Sequence, residues 1–119
     1  MDSTDIHWSE IIQERLKLET DKTEDLILKL KGDGYVKFDN DDQKHYVLYF
    51  EVLFRNDKYL EQPMILTAYA GLAKKIKPYI DINGNEAFPL RISRVGEGIA
   101  TKYIIEEITI DEKGKVTLK

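Results

Sequence analysis

The chain has no cysteine among its 119 residues. Disulfides, thiolate metal sites and cysteine nucleophiles are excluded together, and the composition suits a reducing compartment. Long apolar runs are missing as well, since none approaches the roughly 18 residues that a membrane-spanning helix needs. The N-terminus, Met1-Asp-Ser-Thr-Asp5, lacks the basic-then-apolar order of a signal peptide. These absences predict no membrane partner and a place in the cytoplasm of a cell or of an infected host cell. Catalytic signatures are equally scarce. No Gly-Lys-Ser/Thr follows the glycines of Lys31-Gly-Asp-Gly34, so there is no P-loop. No nucleophile elbow surrounds Ser9 or Ser93. Glu106 and Glu107 are adjacent and on a strand point to opposite faces. His7 and His45 sit outside any ligand motif. Asp39, Asp41 and Asp42 have neither the glycine nor the distal glutamate of a calcium loop. No cofactor, no metal and no enzymatic activity are expected.

What is present is globular. With 42% hydrophobic and 34% charged residues, residues 1–119 fit one domain long enough to bury a core. The net charge of −4 argues against a general polyanion binder, but the charge is unevenly spread. Residues 1–66 carry 9 Lys/Arg and 15 Asp/Glu, whereas residues 67–119 carry 9 and 7. A local basic face on an acidic protein is compatible with that distribution.

Periodicity predicts mainly β structure. Within an N-terminal extension over residues 1–20, Trp8, Ile12 and Leu16 recur every four residues, the spacing of a short amphipathic helix over 6–18. Leu26, Leu28 and Leu30 share one face of a strand over 23–31, and Lys31-Gly-Asp-Gly34 reads as a turn into a second strand at Tyr35–Phe38. His45–Arg55 is the strongest strand. Phe50 and Phe54 lie on its continuous apolar face and belong to the core, while Tyr49 neighbours charge on the wetter face. Another strand follows over 59–66, with Pro63 marking an edge or a bulge.

The period then changes. Ala68, Leu72, Ala73 and Ile76 are spaced for a helix over 67–77, with Thr67 as its cap. Lys74, Lys75 and Lys77 could contact phosphate but read first as its solvated C-terminal end, and Pro78 is its stop. Residues 79–88 read as a loop. Pro89 to Tyr103 then outlines a hairpin: Leu90 and Ile92 alternate with Arg91 and Ser93, glycines bracket Glu97, and Thr101-Lys-Tyr103 starts the return strand. Asp111–Gly114 turns into a last short strand over 116–118.

Three strands, a helix and two strands is the element order (β-β-β-α-β-β) of an OB-fold, a five-stranded Greek-key barrel that binds oligonucleotides. The expected fold is therefore mainly β with one or two helices. The run Ile65-Leu-Thr-Ala-Tyr69, the following helix, and Pro89-Leu-Arg-Ile-Ser-Arg-Val-Gly-Glu-Gly98 with Thr101-Lys-Tyr103 resemble small phage- and virus-type OB-fold single-stranded DNA-binding proteins. The likeness covers residues 20–110 in outline and is most specific from Arg94 to Tyr103. It implies binding with little sequence preference, in viral replication or recombination, with Arg94, Lys102 and Tyr103 as transferable positions. Many such proteins end in an acidic tail that recruits partners. Here the end is Gly114-Lys-Val-Thr-Leu-Lys119, which puts recruitment of that kind in doubt.

The residues themselves suggest a groove in which Arg91, Arg94 and Lys102 meet phosphates while Tyr49 and Tyr103 stack bases. Single-stranded DNA is the expected partner. RNA and a homo-oligomer remain open, and the rival reading is a non-enzymatic protein-interaction or assembly module on the same fold.

Overall fold

A computed structural model describes residues 14–37 and 43–119. The chain runs β1 (Lys22–Val36), β2 (His45–Arg55), β3 (Lys58–Ala68), α1 (Ala70–Asn83), β4 (Phe88–Val95), a 3-10 turn (Gly98–Ala100), β5 (Lys102–Ile110) and β6 (Val116–Leu118). All six strands pair antiparallel in the order β3-β2-β1-β4-β5-β6. Among the described residues the fold is thus mainly β with one α-helix.

Alternation builds the core. Leu26 and Leu28 of β1, Phe50 and Val52 of β2, Leu66 and Ala68 of β3, and Leu90 and Ile92 of β4 all point to one side. Leu72, Ala73 and Ile76 of α1 cover them. Each large side chain fully buried here contributes roughly 1.5–3 kcal/mol relative to exposure.

Four expectations need correction. The sheet has six strands rather than five and does not close into a barrel. The edges that could have met are each engaged elsewhere over part of their length. Ile65 of β3 pairs with the extended segment 14–16, through Leu16 N–H to Ile65 O at 2.8 Å and Ile65 N–H to Glu14 O at 2.8 Å. The far end of β5 pairs with β6. Tyr59, near the start of β3, reaches the turn after β5, its Oη donating to Asp111 O at 2.8 Å.

The helix expected over 6–18 lies largely outside the described residues. Its described part is extended, because Leu16 and Leu18, two apart, are both buried and the backbone bonds β3. Nor is Lys31–Gly34 a turn, since β1 runs straight through it with a register shift between Leu30 and Gly32. Gly34 is there for space. A Cβ on it would sit 3.3 Å from the ring of Tyr49, inside ordinary contact distance.

Finally, Pro78 does not end α1, and Thr67 belongs to β3, leaving Tyr69 at the N-cap without a side-chain cap bond. Proline removes one backbone donor. Continued packing offsets that loss, because Tyr79 stacks on Phe88 with centroids 6.4 Å apart and Ile80 packs on the core. The helix stops at Gly84 instead, in the left-handed half of backbone space (φ +60°), where its N–H reaches Ile80 O at 2.7 Å.

Candidate nucleic-acid interface

The β4–β5 hairpin forms where the sequence places it, with Arg94 opposite Tyr103 and Val95 opposite Lys102. Its loop depends on Gly96 at φ +82°, where a Cβ would come within 2.5 Å of Ala100 O. Ala100 N–H to Glu97 O (3.0 Å) and Thr101 N–H to Gly98 O (3.2 Å) close the 3-10 turn. Thr20 Oγ1 donates to Gly96 O at 3.3 Å, tying the loop to the segment before β1.

Arg94 is anchored at both its backbone and its side chain. Its carbonyl accepts Asp21 N–H at 2.7 Å, and its Nη1 donates to Leu18 O at 2.8 Å. Its Nε is buried without a partner among the described residues, which costs about 1–3 kcal/mol of desolvation. The guanidinium is therefore held in one place at some energetic expense.

Two cavities adjoin at this point and share Arg94 and Tyr103 as walls. One, of about 620 Å³, lies between Gly71 and Lys75 of α1 and the hairpin residues Gly98 and Thr101–Ile104. The other, of about 510 Å³, lies between segment 15–18, residues 65–67 of β3, Tyr69 and Leu72. Arg15, Lys17, Lys75, Arg94 and Lys102 line the pair, with Tyr69 and Tyr103, and among the described residues no aspartate or glutamate does. Five cations without a carboxylate among the described residues, in a chain of net charge −4, concentrate positive charge at one place on the surface.

The other two expected site residues lie elsewhere. Arg91 is three positions from Arg94, so alternation sends it to the opposite face of β4. There it forks onto Asp25, Nε to Oδ1 at 2.6 Å and Nη2 to Oδ2 at 3.1 Å. That bond raises the Arg91 guanidinium pKa above its ordinary value. Glu106 flanks Arg91 on β5. Tyr49 stands opposite Gly32, ten residues along β1 from the partner of Arg94, with its ring across Gly34. The structure thus brings Arg94 and Tyr103 onto one face of the hairpin. Lys102, one position along β5, lines the groove although alternation turns it toward the face of Arg91, and Arg91 and Tyr49 lie away from the groove.

Sequence reasoning missed Arg15, Lys17 and Tyr69, and weighed Lys75 as a phosphate contact only to set it aside. Lys75 read as part of a solvated helix end, a reading that changes once α1 runs on to Asn83 and leaves Lys75 mid-helix over the groove. Arg15 and Lys17 alternate with the buried Leu16 and Leu18, so a strand reading of 14–18 would have exposed them.

A second aromatic pair sits at the other end of β1. Tyr35 and Tyr46 are cross-strand partners with centroids 5.5 Å apart and rings at 66°. Tyr46 Oη donates to Asp33 Oδ2 at 2.7 Å, and this bond raises the phenol pKa. The carboxylate beside them makes this end unfavourable for phosphate.

Among the described residues no helix is long and apolar enough to cross a membrane, and no group of three or more His, Asp or Glu side chains is placed to hold a metal ion. No family model, curated protein or solved structure matches the chain.

Proposed function

We propose that this chain is a non-enzymatic binder of single-stranded nucleic acid, DNA in the first place, and that the groove at Arg94 is where it binds. One observation carries the reading: five cations and two tyrosines, with no carboxylate among the described residues, line two adjoining cavities of an acidic protein. Phosphates need positive charge and unstacked bases need π-faces. In this reading Arg15, Lys17, Arg94, Lys75 and Lys102 take the backbone, while Tyr69 and Tyr103 receive bases. The contacts are to phosphate and ring faces, so sequence preference is weak.

The architecture is consistent with an OB-type sheet. A helix joins the third and fourth strands, and β1 is flanked by β2 and β4. OB-folds are often partly open, and oligonucleotides use the loop between their fourth and fifth strands. That loop here is 96–101, which lines the groove through Gly98 and Thr101. A role in viral replication or recombination rests on the sequence resemblance over Arg94–Tyr103.

Fluorescence anisotropy of labelled poly-dT tests the proposal at low and then physiological salt. Micromolar or tighter binding is expected, weakening with salt and displaced by single-stranded but not duplex competitor. Absence of binding at low salt overturns it and leaves a protein-interaction module as the leading account.

A further inference from the structure

An open sheet leaves edges, and each edge of this one is treated differently. On β3, Ile65 is covered by segment 14–16 and Pro63 removes a donor. The edge of β6 is only three residues long. The outer edge of β5 is the exception. Among the described residues β6 pairs with it only at Ile108–Ile110, and no strand pairs with Lys102–Glu106 on that side. This stretch contains no proline, and no bulge interrupts its ladder with β4. Such an edge is a template for another strand.

The residues along it favour a particular strand. Ile104 is 51% exposed at its centre, and nearby Val95 and Ile99 are also exposed. Lys102 and Glu106 lie two positions to either side of Ile104, on the same face.

We propose that two copies of this chain associate through their β5 edges, antiparallel and centred on Ile104. In that register Ile104 faces Ile104 of the second copy, and Lys102 faces Glu106 twice, once on each side of the two-fold axis. Opposite charges directly across a strand pair stabilise it. A slip of two residues sets Lys102 or Glu106 against Ile104 and loses both pairs, so the charges select the register as well. Space for the incoming strand exists beside the edge. The cavity of about 620 Å³ borders Thr101–Ile104, and Gly71 on its far wall has nothing within 4 Å of a Cβ position.

This association is argued from β5 alone and does not depend on nucleic-acid binding. Where both occur they compete, because Lys102 lines the groove.

Sedimentation equilibrium of the full chain over a wide concentration range tests it. The expected species is a reversible dimer, twice the 13.9 kDa of one chain. Lys102→Glu and Glu106→Lys each place like charges across the axis twice and weaken the dimer about tenfold or more. The double variant K102E/E106K restores both attractions and recovers dimerisation. A wild type that stays monomeric throughout overturns the proposal, as do single variants that dimerise like wild type or a double variant that fails to recover. Circular dichroism checks that each variant folds. Should one not fold, Ile104→Glu reads the same contact by setting two carboxylates face to face on the axis, and a persisting dimer then counts against it. The readout is mass without oligonucleotide, so failure of poly-dT binding and failure of the dimer are separate results.

Discussion

Arg91 and Arg94 belong to one strand, three residues apart, yet they occupy opposite electrostatic settings. On the outer face of β4 every partner offered to Arg91 is acidic, Asp25 from β1 and Glu106 from β5. On the groove side Arg94 meets the carbonyl of Leu18 and a wall of other cations. The first setting neutralises charge and holds strands together. The second concentrates charge, which folding alone does not favour, since like charges repel and the buried Nε of Arg94 goes unmatched. Uncompensated positive charge on an acidic protein is the feature that points to a ligand.

Substitutions can break that contrast. The largest effect is expected from Arg94→Glu combined with Lys102→Glu. Removing two phosphate contacts and adding two repulsive charges lowers poly-dT affinity about a hundredfold at low salt, on every sequence alike, as read by anisotropy. Wild-type affinity in that double variant locates the binding surface elsewhere.

Arg91→Ala is the mirror experiment. It leaves Asp25, whose side chain is 16% exposed, without its cation. The expected loss is about 1–3 kcal/mol of stability in urea unfolding, with poly-dT affinity unchanged. A large affinity loss at retained stability reverses the roles of the two arginines.

Lys75→Ala sharpens the outline of the groove. Each phosphate neutralised contributes about −0.7 to the slope of log K against log salt for a single strand, and five cations set an upper limit of about −3.5 by the same relation. The variant lowers the magnitude of the slope by about 0.7. An unaltered slope removes α1 from the contact.

The smallest effect concerns Tyr46, at the end of β1 remote from the groove. Its hydrogen bond to Asp33 raises the phenol pKa. A raised folded-state value means that the stabilisation is complete below the ordinary tyrosine pKa and is lost as pH rises through the folded one. Ultraviolet titration of wild type against Asp33→Asn is expected to return this tyrosine toward its ordinary pKa, with poly-dT affinity the same in both.

The hairpin was legible because its signals are local. Alternation in Leu90-Arg-Ile92 and two glycines around Glu97 define strands and loop without reference to the rest of the chain. The strand over 45–55 was legible for the same reason. Misreadings arose where a distant residue decided the outcome. Gly32 and Gly34 have turn composition, yet Gly34 lies within a strand where the ring of Tyr49, fifteen residues on, crosses it. Pro78 carries a strong stop signal, but packing of Tyr79 on Phe88 keeps the helix going. Residues 14–18 have helical neighbours in sequence, yet β3 holds them extended.

The candidate site divides along the same line. Arg94, Lys102 and Tyr103 were found together because one hairpin carries all three. Arg91 was grouped with them by nearness in sequence, and Asp25, sixty-six residues earlier, is what separates it. Arg15, Lys17, Tyr69 and Lys75 come from three other segments that only folding assembles.

By itself, then, the sequence determined a mainly β domain without cysteine chemistry, the position of its helix start to within a few residues, and a cationic hairpin. Those properties depend on composition and on neighbours a few residues apart. The tertiary structure alone decided that the sheet stays open, that Arg91 meets a carboxylate while Arg94 meets none among the described residues, and that four further side chains join the groove. Each of these outcomes is a contest between partners far apart in the chain, settled by strand register and by which edge is already paired, and neither quantity is written in local periodicity.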